Sequence, residues 1–476
     1  TARYFLQTDI INRMLEGPAR ILIIAAQDGS YLDEYRNHNK VSIQIIPDEW
    51  CEDYYNENPH FQWLFRVVRL YVYGKRNTTR DIFMDYYITD TNKRLESASL
   101  KEKIDIKARR LVVLTISRLL QHSHVLRKVW LWLECRLYTP NIYEKILKEF
   151  NPHTVVVSSL GTFDWDQYLM REARRVGATI VTVVLSWDNS STRGYPGALP
   201  DKVVTWTSIM KKELEDYHDI PDYQTYVGGV ASFDHYFKSD PTYSRINTLE
   251  SIGADHTKNI VFFTTKSPNS YPWNPNIARA VLSAIKDGRL TNCQLLLRVH
   301  PLHYRKVDGE YIFQNVLDSY EELLESYRKN LILNKPVLAS EKLNYAMPRD
   351  EVLLLSRLIK SSSVIVNIFS TLNIEASILD KPLVNVCFEG KNIEYEAKGK
   401  ARFNVLSDFS ATHNQRIVDS GGIQIAYNEN QLIGKISAYL NDPNVDSVGR
   451  KAIVQQEAGP NRGRAGIAIA DYIASL

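Results

Sequence analysis

The sequence predicts an α/β protein built from two doubly wound domains with parallel sheets. Apolar runs rich in Val and Ile alternate with segments of helical spacing, which is typical of parallel strands covered by helices. The clearest case spans 364–386, where a strand at Val364–Ile368 precedes apolar residues at helical spacing and a second strand at Leu383–Val386. The alternation occurs in both halves of the 476-residue chain, a length that favours two domains.

The first predicted strands are Arg20–Ala26 and Val41–Ile46, both short apolar runs. Asp28 follows the first of them, in a turn that also contains Gly29. Because ligands of open α/β sheets bind at the carboxyl ends of the strands, Asp28 is a candidate site residue. The ordinary alternative is a turn aspartate that accepts hydrogen bonds from backbone N–H groups.

Residues 60–150 interrupt the strand pattern and predict a helical insert. A single long helix is expected at about 103–136, because apolar residues recur there at steps of three and four with one gap at Ser123. These residues are Val112, Ile116, Leu119, Leu126, Trp130, Leu133 and Leu137. Arginines and lysines are interspersed along the helix. Two interpretations stay open: a helix packed on its domain with its arginines in solvent, or a basic amphipathic face that rests on anionic lipid.

Strands return at His153–Ser158 and Gly177–Leu185, and a polar loop follows the second of these. The loop contains Trp187-Asp188-Asn189, a ring beside a carboxylate and an amide as in many sugar sites, and Arg193. We predict an N-terminal domain at 1–235 with the insert at about 60–150, a linker at 236–257, a C-terminal domain at 258–447 and a tail with a helix at 448–476.

Three strand ends of the second domain carry polar residues. Thr264, Thr265 and Lys266 end its first strand, where they could contact a phosphate, and His300 ends the next one. Ser370 and Thr371 stand where a helix begins, so their hydroxyls and the first N–H groups of the helix suit an anion such as phosphate. Ordinary helix caps and a solvated turn are the structural alternatives for the same residues.

Composition excludes several classes of protein. The net charge of +3 and the pI of about 8.4 are too mild for a nucleic-acid binder. The four cysteines form no close pair, so neither a zinc site nor a disulfide scaffold is predicted. We find no signal segment and no apolar run near the roughly 18 residues that span a bilayer. We therefore expect a cytoplasmic protein, with a peripheral position on the inner face of the plasma membrane as a further expectation from the insert.

Four short segments stand out together: a glycine-rich strand end at Val227–Asp234, the run Arg298-Val299-His300-Pro301, Ser370-Thr371 with Glu375, and a glycine- and arginine-rich stretch at Gly459–Gly466. In order and spacing they resemble the GT-B glycosyltransferase fold, and within it bacterial surface and capsular polysaccharide transferases with a His-Pro motif. The resemblance implies two Rossmann-like domains that face each other across a cleft, with the donor in the C-terminal half and the acceptor in the N-terminal half.

The resemblance also implies a chemistry, the inverting transfer of a sugar from a nucleotide-sugar donor to a glycan or lipid-linked acceptor. The predicted donor residues are Thr265, Lys266, Arg298, His300, Pro301, Ser370, Thr371 and Glu375. The predicted acceptor residues are Asp164, Asp166, Trp187, Asn189 and Arg193, and the predicted catalytic residues are Asp28, Asp188 and His300.

Asp164-Trp165-Asp166 matches the Asp-x-Asp metal motif of the other major glycosyltransferase fold, but two carboxylates alone make a poor metal site. The GT-B resemblance implies transfer without a metal, so we predict no metal at the chemical step and no cofactor besides the donor. The predicted partners are the donor, the acceptor and an anionic membrane surface, without nucleic acid.

Three functions remain as alternatives to a glycosyltransferase: a nucleotide-sugar 2-epimerase, a CDP-glycerol-type glycerophosphotransferase and a glycan-binding protein without activity.

Overall fold

A computed structural model describes residues 2–57, 61–161, 164–307, 309–338, 347–390 and 404–476, without the side chains of residues 2, 3 and 164. The strands of this described part are β1 Ile21–Ala25, β2 Val41–Ile45, β3 Thr154–Val157, β4 Thr179–Val183, β5 Lys202–Thr205, β6 Thr225–Val227, β7 Asn259–Thr264, β8 Cys293–Arg298, β9 Lys306–Val307, β10 Glu310–Tyr311, β11 Leu331–Asn334, β12 Val364–Asn367, β13 Leu383–Val386 and β14 Gln424–Ala426.

The helices of the same part of the chain are α1 Ala2–Leu6, α2 Asp9–Glu16, α3 Asp33–Arg36, α4 Glu49–Glu57, α5 Gln62–Tyr71, α6 Thr78–Ser97, α7 Leu100–Gln121, α8 His124–Leu137, α9 Glu144–Phe150, α10 Asp164–Arg175, α11 Asn189–Thr192, α12 Ser208–His218, α13 Asp234–Phe237, α14 Arg245–Ser251, α15 Asn274–Lys286, α16 Gln314–Ser326, α17 Arg349–Ser361, α18 Leu372–Ile378, α19 Val405–Ser410, α20 Thr412–Asp419, α21 Glu429–Asn441, α22 Ser447–Glu457 and α23 Ala465–Ala474. None of these helices is long and apolar enough to cross a membrane.

The chain forms two compact units, and the predicted α/β class with parallel sheets in two Rossmann-like units is confirmed. The first unit contains residues 3–231 and 459–476, and the second contains residues 232–458. The first holds a four-stranded parallel sheet in the order β3-β4-β5-β6 and a two-stranded parallel sheet of β1 and β2. The segment predicted as a linker, 236–257, contains α14 and the end of α13 within the second unit.

The predicted tail contributes a helix to each unit. α22 lies in the second unit, whereas α23 lies in the first and packs against α2. The apolar side chains of Ile469 and Ile473 on α23 share a core cluster with Ile10 and Val183, which explains why this helix belongs to the first unit.

Two of the glycine-rich segments meet in the first unit. Gly229 and Gly459 both have positive φ, at 92° and 66°. A Cβ at Gly229 would collide with the carbonyl oxygen of Pro460, and one at Gly459 with that of Trp206. The Nδ2 group of Asn461 also donates to the carbonyl of Gly228 at 3.1 Å. Close backbone packing therefore accounts for these glycines without a ligand.

The second unit carries a six-stranded parallel sheet in the order β11-β8-β7-β12-β13-β14. When only the six strands of this sheet are numbered in chain order, without the separate pair β9 and β10, the order is 3-2-1-4-5-6, which is the Rossmann arrangement. Successive strands are added on one side of β7 as far as β11 and on the other side from β12 onward. β7 and β12 pair in parallel through Val364–Val366 and Val261–Phe263. Such a switch point leaves a crevice at the carboxyl ends of the two strands, and ligands bind there in sheets of this kind.

The helical insert is divided differently from the prediction. The helix expected at about 103–136 is two helices, α7 and α8. Ser123 separates them with extended backbone, and its hydroxyl accepts a hydrogen bond from the N–H of Leu126 at 3.3 Å. The gap in the apolar pattern at Ser123 is thus a helix start, because a serine cap competes with helix continuation.

Several arginines of the insert region are buried rather than solvated. Arg127 forms an ion pair with Asp219 at 2.6 Å and donates to the carbonyls that end α7, those of Leu120 and Gln121. Glu134 lies between two guanidinium groups, with its oxygens 2.8 Å from Arg69 and 3.0 Å from Arg171. These contacts attach α5, α7 and α8 to the first unit.

Candidate functional site

The turn after β12 is held by three buried asparagines. Phe369 has a φ of 41°, which is strained for a residue with a bulky side chain. Its N–H donates to Oδ1 of Asn385 on β13 at 2.9 Å. The amides of Asn367 and Asn385 both donate to Oδ1 of Asn373 on α18, each at 2.9 Å. Together these hydrogen bonds hold Phe369 in a backbone conformation that is unfavourable by itself, and so they fix the turn.

Ser370 takes part in holding the turn, whereas Thr371 does not. The Ser370 hydroxyl donates to Oδ1 of Asn367 at 2.9 Å and accepts from the N–H of Leu372 at 3.3 Å. Among the described residues, the backbone N–H groups of Ser370 and Thr371 and the Thr371 hydroxyl have no hydrogen-bond partner. Successive N–H groups after a left-handed residue form a concavity that attracts anions.

The neighbouring strand end, that of β7, adds further polar groups. The Thr264 hydroxyl is buried and unpartnered within the described part of the chain. The Thr265 hydroxyl accepts the N–H of His300 at 2.8 Å, so the ends of β7 and β8 are joined directly. Lys266 forms an ion pair with Asp408 on α19, and its N–H donates to Oδ1 of Asn274 at 2.9 Å.

His300 is a neutral histidine at physiological pH. Burial lowers its pKa to about 4, because desolvation penalises the charged ring. Its Nδ1 accepts the N–H of Leu302 at 3.2 Å, so the ring proton lies on Nε2. A neutral ring in this tautomer can donate one hydrogen bond from Nε2, to a phosphate oxygen or a base.

Arg298 and Glu375 are both already paired. Arg298 is buried, donates to Glu351 on α17 at 2.6 Å and also contacts Asn334. This pairing supports a structural role for Arg298 that ties β8 to α17. Glu375 lies on α18 almost buried, and one of its carboxylate oxygens accepts a hydrogen bond from the Tyr236 hydroxyl.

In the first unit, Asp28 is exposed beyond β1. Its carboxylate forms an ion pair with Arg36 and accepts the N–H of Gly29 at 2.8 Å. The hydrogen bond from Arg36 is the main cause that holds the pKa of Asp28 below its usual value. The carboxylate is therefore ionised at physiological pH, but the same pairing weakens it as a base.

The loop after β4 places its residues differently. The carboxylate of Asp188 accepts hydrogen bonds from the hydroxyls of Ser186 and Thr192, the second at 3.1 Å. Trp187 is buried, while Asn189 and Arg193 are half-buried at the two ends of α11. Both of these donors are side-chain hydroxyls, and the Asp188 carboxylate makes no capping hydrogen bond at the start of α11.

The backbone of the Asp-x-Asp segment forms the start of α10. Asp166 is buried beside Ser158, whose hydroxyl lies 3.4 Å from its Oδ2, and desolvation raises its pKa to about 6. The side chain of Asp164 lies outside the described residues. Within the described part of the chain, no group of three or more His, Cys, Asp and Glu side chains could hold a metal ion.

The structure therefore brings Thr265 and His300 together, because they follow the adjacent strands β7 and β8. Ser370 and Thr371 follow β12 of the same sheet, and Glu375 lies on α18, the next helix. Sequence reasoning missed the three asparagines and Tyr236, whereas it had named Thr264 as a possible phosphate contact. A signal for the asparagines existed: Asn367 and Asn385 each stand inside an apolar β-branched run, where asparagine is disfavoured without a specific partner.

No protein-family model and no curated protein sequence matches this chain. Solved structures give distant matches. The MnaA–UDP structure from S. aureus matches with a TM-score of 0.46, 15% identity and coverage of 73% of this chain and 80% of that chain. The UDP-GlcNAc 2-epimerase from Neisseria meningitidis bound to UDP-GlcNAc matches with a TM-score of 0.45, 15% identity and coverage of 74% and 82%. A glycosyltransferase from Rickettsia africae matches with a TM-score of 0.41, 13% identity and coverage of 73% and 82%. Matches at this distance assign no activity to the chain.

Proposed function

We propose that this protein is a metal-independent glycosyltransferase that takes its sugar from a nucleoside-diphosphate donor. The observation that carries the proposal is the switch point of the second unit, where the ends of β7, β8 and β12 present hydroxyls, a neutral histidine and backbone donors. A diphosphate leaving group gains negative charge as the sugar–phosphate bond breaks, and fixed donors in a partly dry site stabilise that charge.

Four of the predicted donor residues have roles in this proposal. The N–H groups of Ser370 and Thr371 and the Thr371 hydroxyl bind the diphosphate, and the Ser370 hydroxyl holds the turn. His300 donates from Nε2, and its lowered pKa means that it does so without carrying charge. Glu375 accepts hydrogen bonds from the ribose hydroxyls through the carboxylate that Tyr236 orients. A carboxylate of the first unit, Asp28 in our assignment, takes the proton of the acceptor hydroxyl.

The acceptor in this proposal is a glycan or lipid-linked glycan of surface polysaccharide synthesis, bound by the first unit through Asp166 at the start of α10 and Asp188 in the loop after β4. We propose that the protein works in the cytoplasm at the inner face of the plasma membrane.

The first experiment that tests the proposed function is calorimetric titration with nucleoside diphosphates, because it needs no knowledge of the sugar or the acceptor.

A Glu375→Ala substitution is expected to weaken binding of the nucleoside diphosphate by about 1–3 kcal/mol, since a nearly buried hydrogen-bonding carboxylate is lost. Calorimetry of the full chain measures the change. Tyr236→Phe is the matched control: it removes the hydrogen bond to Glu375 but keeps the carboxylate, so a smaller loss is expected. Unchanged affinity in Glu375→Ala would remove this residue from the site.

A further inference from the structure

Helices α7 and α8 expose large apolar side chains at helical spacing. On α7, Leu111 is 67% exposed, and it shares one side of the helix with Ile104 and Leu119. On α8, Trp132 is 62% exposed, with Val125 on the same side. The exposed apolar side chains of the two helices, which we call the α7–α8 surface, are Leu100, Ile104, Leu111, Val112, Leu119, Val125, Leu126, Val129, Trp132, Leu133 and Leu137.

This surface is not the side by which the helices pack on their unit. The buried residues of α7 are Val113, Ser117 and Leu120, and those of α8 include Leu131 and Glu134. The helices are therefore apolar on two sides, one packed against α5 and the other open to solvent. A single apolar stripe is enough to pack a helix on a domain, so the second stripe has no role in the fold of the first unit.

Positive charge is concentrated in the same two helices. Residues 100–137 contain nine Lys and Arg and three Asp and Glu, a net charge of +6, whereas the whole chain carries +3. The remaining residues therefore sum to −3. Arg127 and Glu134 are buried, and the exposed positive side chains are Lys101, Lys107, Arg109, Arg118, Lys128 and Arg136.

We propose that the α7–α8 surface docks on an anionic phospholipid bilayer. Exposed Leu, Val and Trp side chains enter the boundary between headgroups and acyl chains, while lysine and arginine side chains extend toward the anionic headgroups. Trp132 suits this boundary because its ring is apolar and its indole N–H is polar. The charge argues for lipid over a second copy of the chain, because two surfaces of this net charge would repel each other on contact.

The inference concerns a different part of the chain from the donor site, so it does not depend on the sugar chemistry. The test is cosedimentation of the full chain with vesicles of phosphatidylcholine alone and of phosphatidylcholine mixed with phosphatidylglycerol. The mixed vesicles are expected to bind the protein at least about tenfold more tightly, and added salt is expected to weaken that binding.

Two double variants separate the apolar and charged contributions. Leu111→Gln with Trp132→Gln, and Lys107→Glu with Lys128→Glu, are each expected to reduce binding to the mixed vesicles by at least about tenfold. All four side chains are exposed, so the fold should persist, which circular dichroism checks. Tyr223→Gln is the control, since Tyr223 is an exposed aromatic residue of the same unit outside these helices.

Three results would overturn the proposal. The first is equal and negligible binding to both vesicles. The second is wild-type binding by the Leu111→Gln, Trp132→Gln variant. The third is a dimer in sedimentation velocity that this variant dissociates, because a second copy would then cover the surface.

Discussion

Replacing Glu134 by alanine is expected to lower the free energy of unfolding of the first unit by about 3–5 kcal/mol, the usual cost of removing one partner from a buried ion pair. Both carboxylate oxygens are used, one by Arg69 on α5 and one by Arg171 on α10. All three side chains are no more than 4% exposed. Without the carboxylate, two buried guanidinium groups lose their counter-charge.

Urea unfolding followed by fluorescence measures this change. Asp105→Ala is the matched control, because Asp105 pairs with Arg109 on the surface of α7, and exposed pairs contribute only about 0–1 kcal/mol. If the two units unfold separately, only the transition of the first should move. A loss in Glu134→Ala no larger than that in Asp105→Ala would mean that the buried pairing does not hold the insert.

Replacing Asp28 by asparagine is expected to reduce turnover by at least about 10²-fold, the usual scale for loss of a general base. Donor binding should remain, because Asp28 belongs to the first unit and the donor site is proposed in the second. Turnover is measured as release of the nucleoside diphosphate from its sugar donor. Asparagine keeps the shape of the side chain and its acceptor for the Gly29 N–H but has no basicity.

The ion pair with Arg36 adds a pH signature to this prediction. Arg36 favours the ionised carboxylate and so lowers the pKa of Asp28. An Arg36→Ala variant should therefore raise that pKa and move the acid limb of the pH–rate profile to higher pH. Asp188→Asn is the control: if it abolishes turnover while Asp28→Asn does not, the base belongs to the loop after β4.

Much of the second unit could be predicted from the sequence, because its strands are buried on both faces and read as continuous apolar runs. The strand–turn–helix–strand unit around Ser370 is of this kind, and the structure gives β12, α18 and β13 close to the predicted positions. The order of the strands was not predictable in the same way, since hydrogen-bonded pairing between distant segments leaves no local signal.

The candidate site was harder to predict than the fold. A strand end can be located from an apolar run, but the partner of a polar side chain depends on tertiary structure. Arg298 shows this, because its ion pair is with Glu351, which lies far along the chain. The Ser370 hydroxyl likewise bonds to Asn367 rather than remaining open to a ligand.

The insert shows a different limit of periodicity. The apolar positions that predicted one packed helix include Val112, Leu119 and Leu126, which are exposed in the structure. The buried positions Val113 and Leu120 lie one residue later. When both sides of a helix are apolar, spacing alone cannot tell which side packs on the domain.

The most direct test of the donor site is calorimetric titration of the wild-type protein and a Thr371→Glu variant with nucleoside diphosphates in excess chelator. The added carboxylate would stand at the open N–H groups of the turn and repel a diphosphate, while a negative charge at the start of α18 should not destabilise that helix. Ser447→Glu places the same charge at the start of α22 as a control. We expect the wild type and Ser447→Glu to bind at least one nucleoside diphosphate equally well without metal, and Thr371→Glu to bind it at least about tenfold more weakly. Equal binding by all three proteins, no binding by the wild type, or binding that requires a divalent metal would contradict the proposed site.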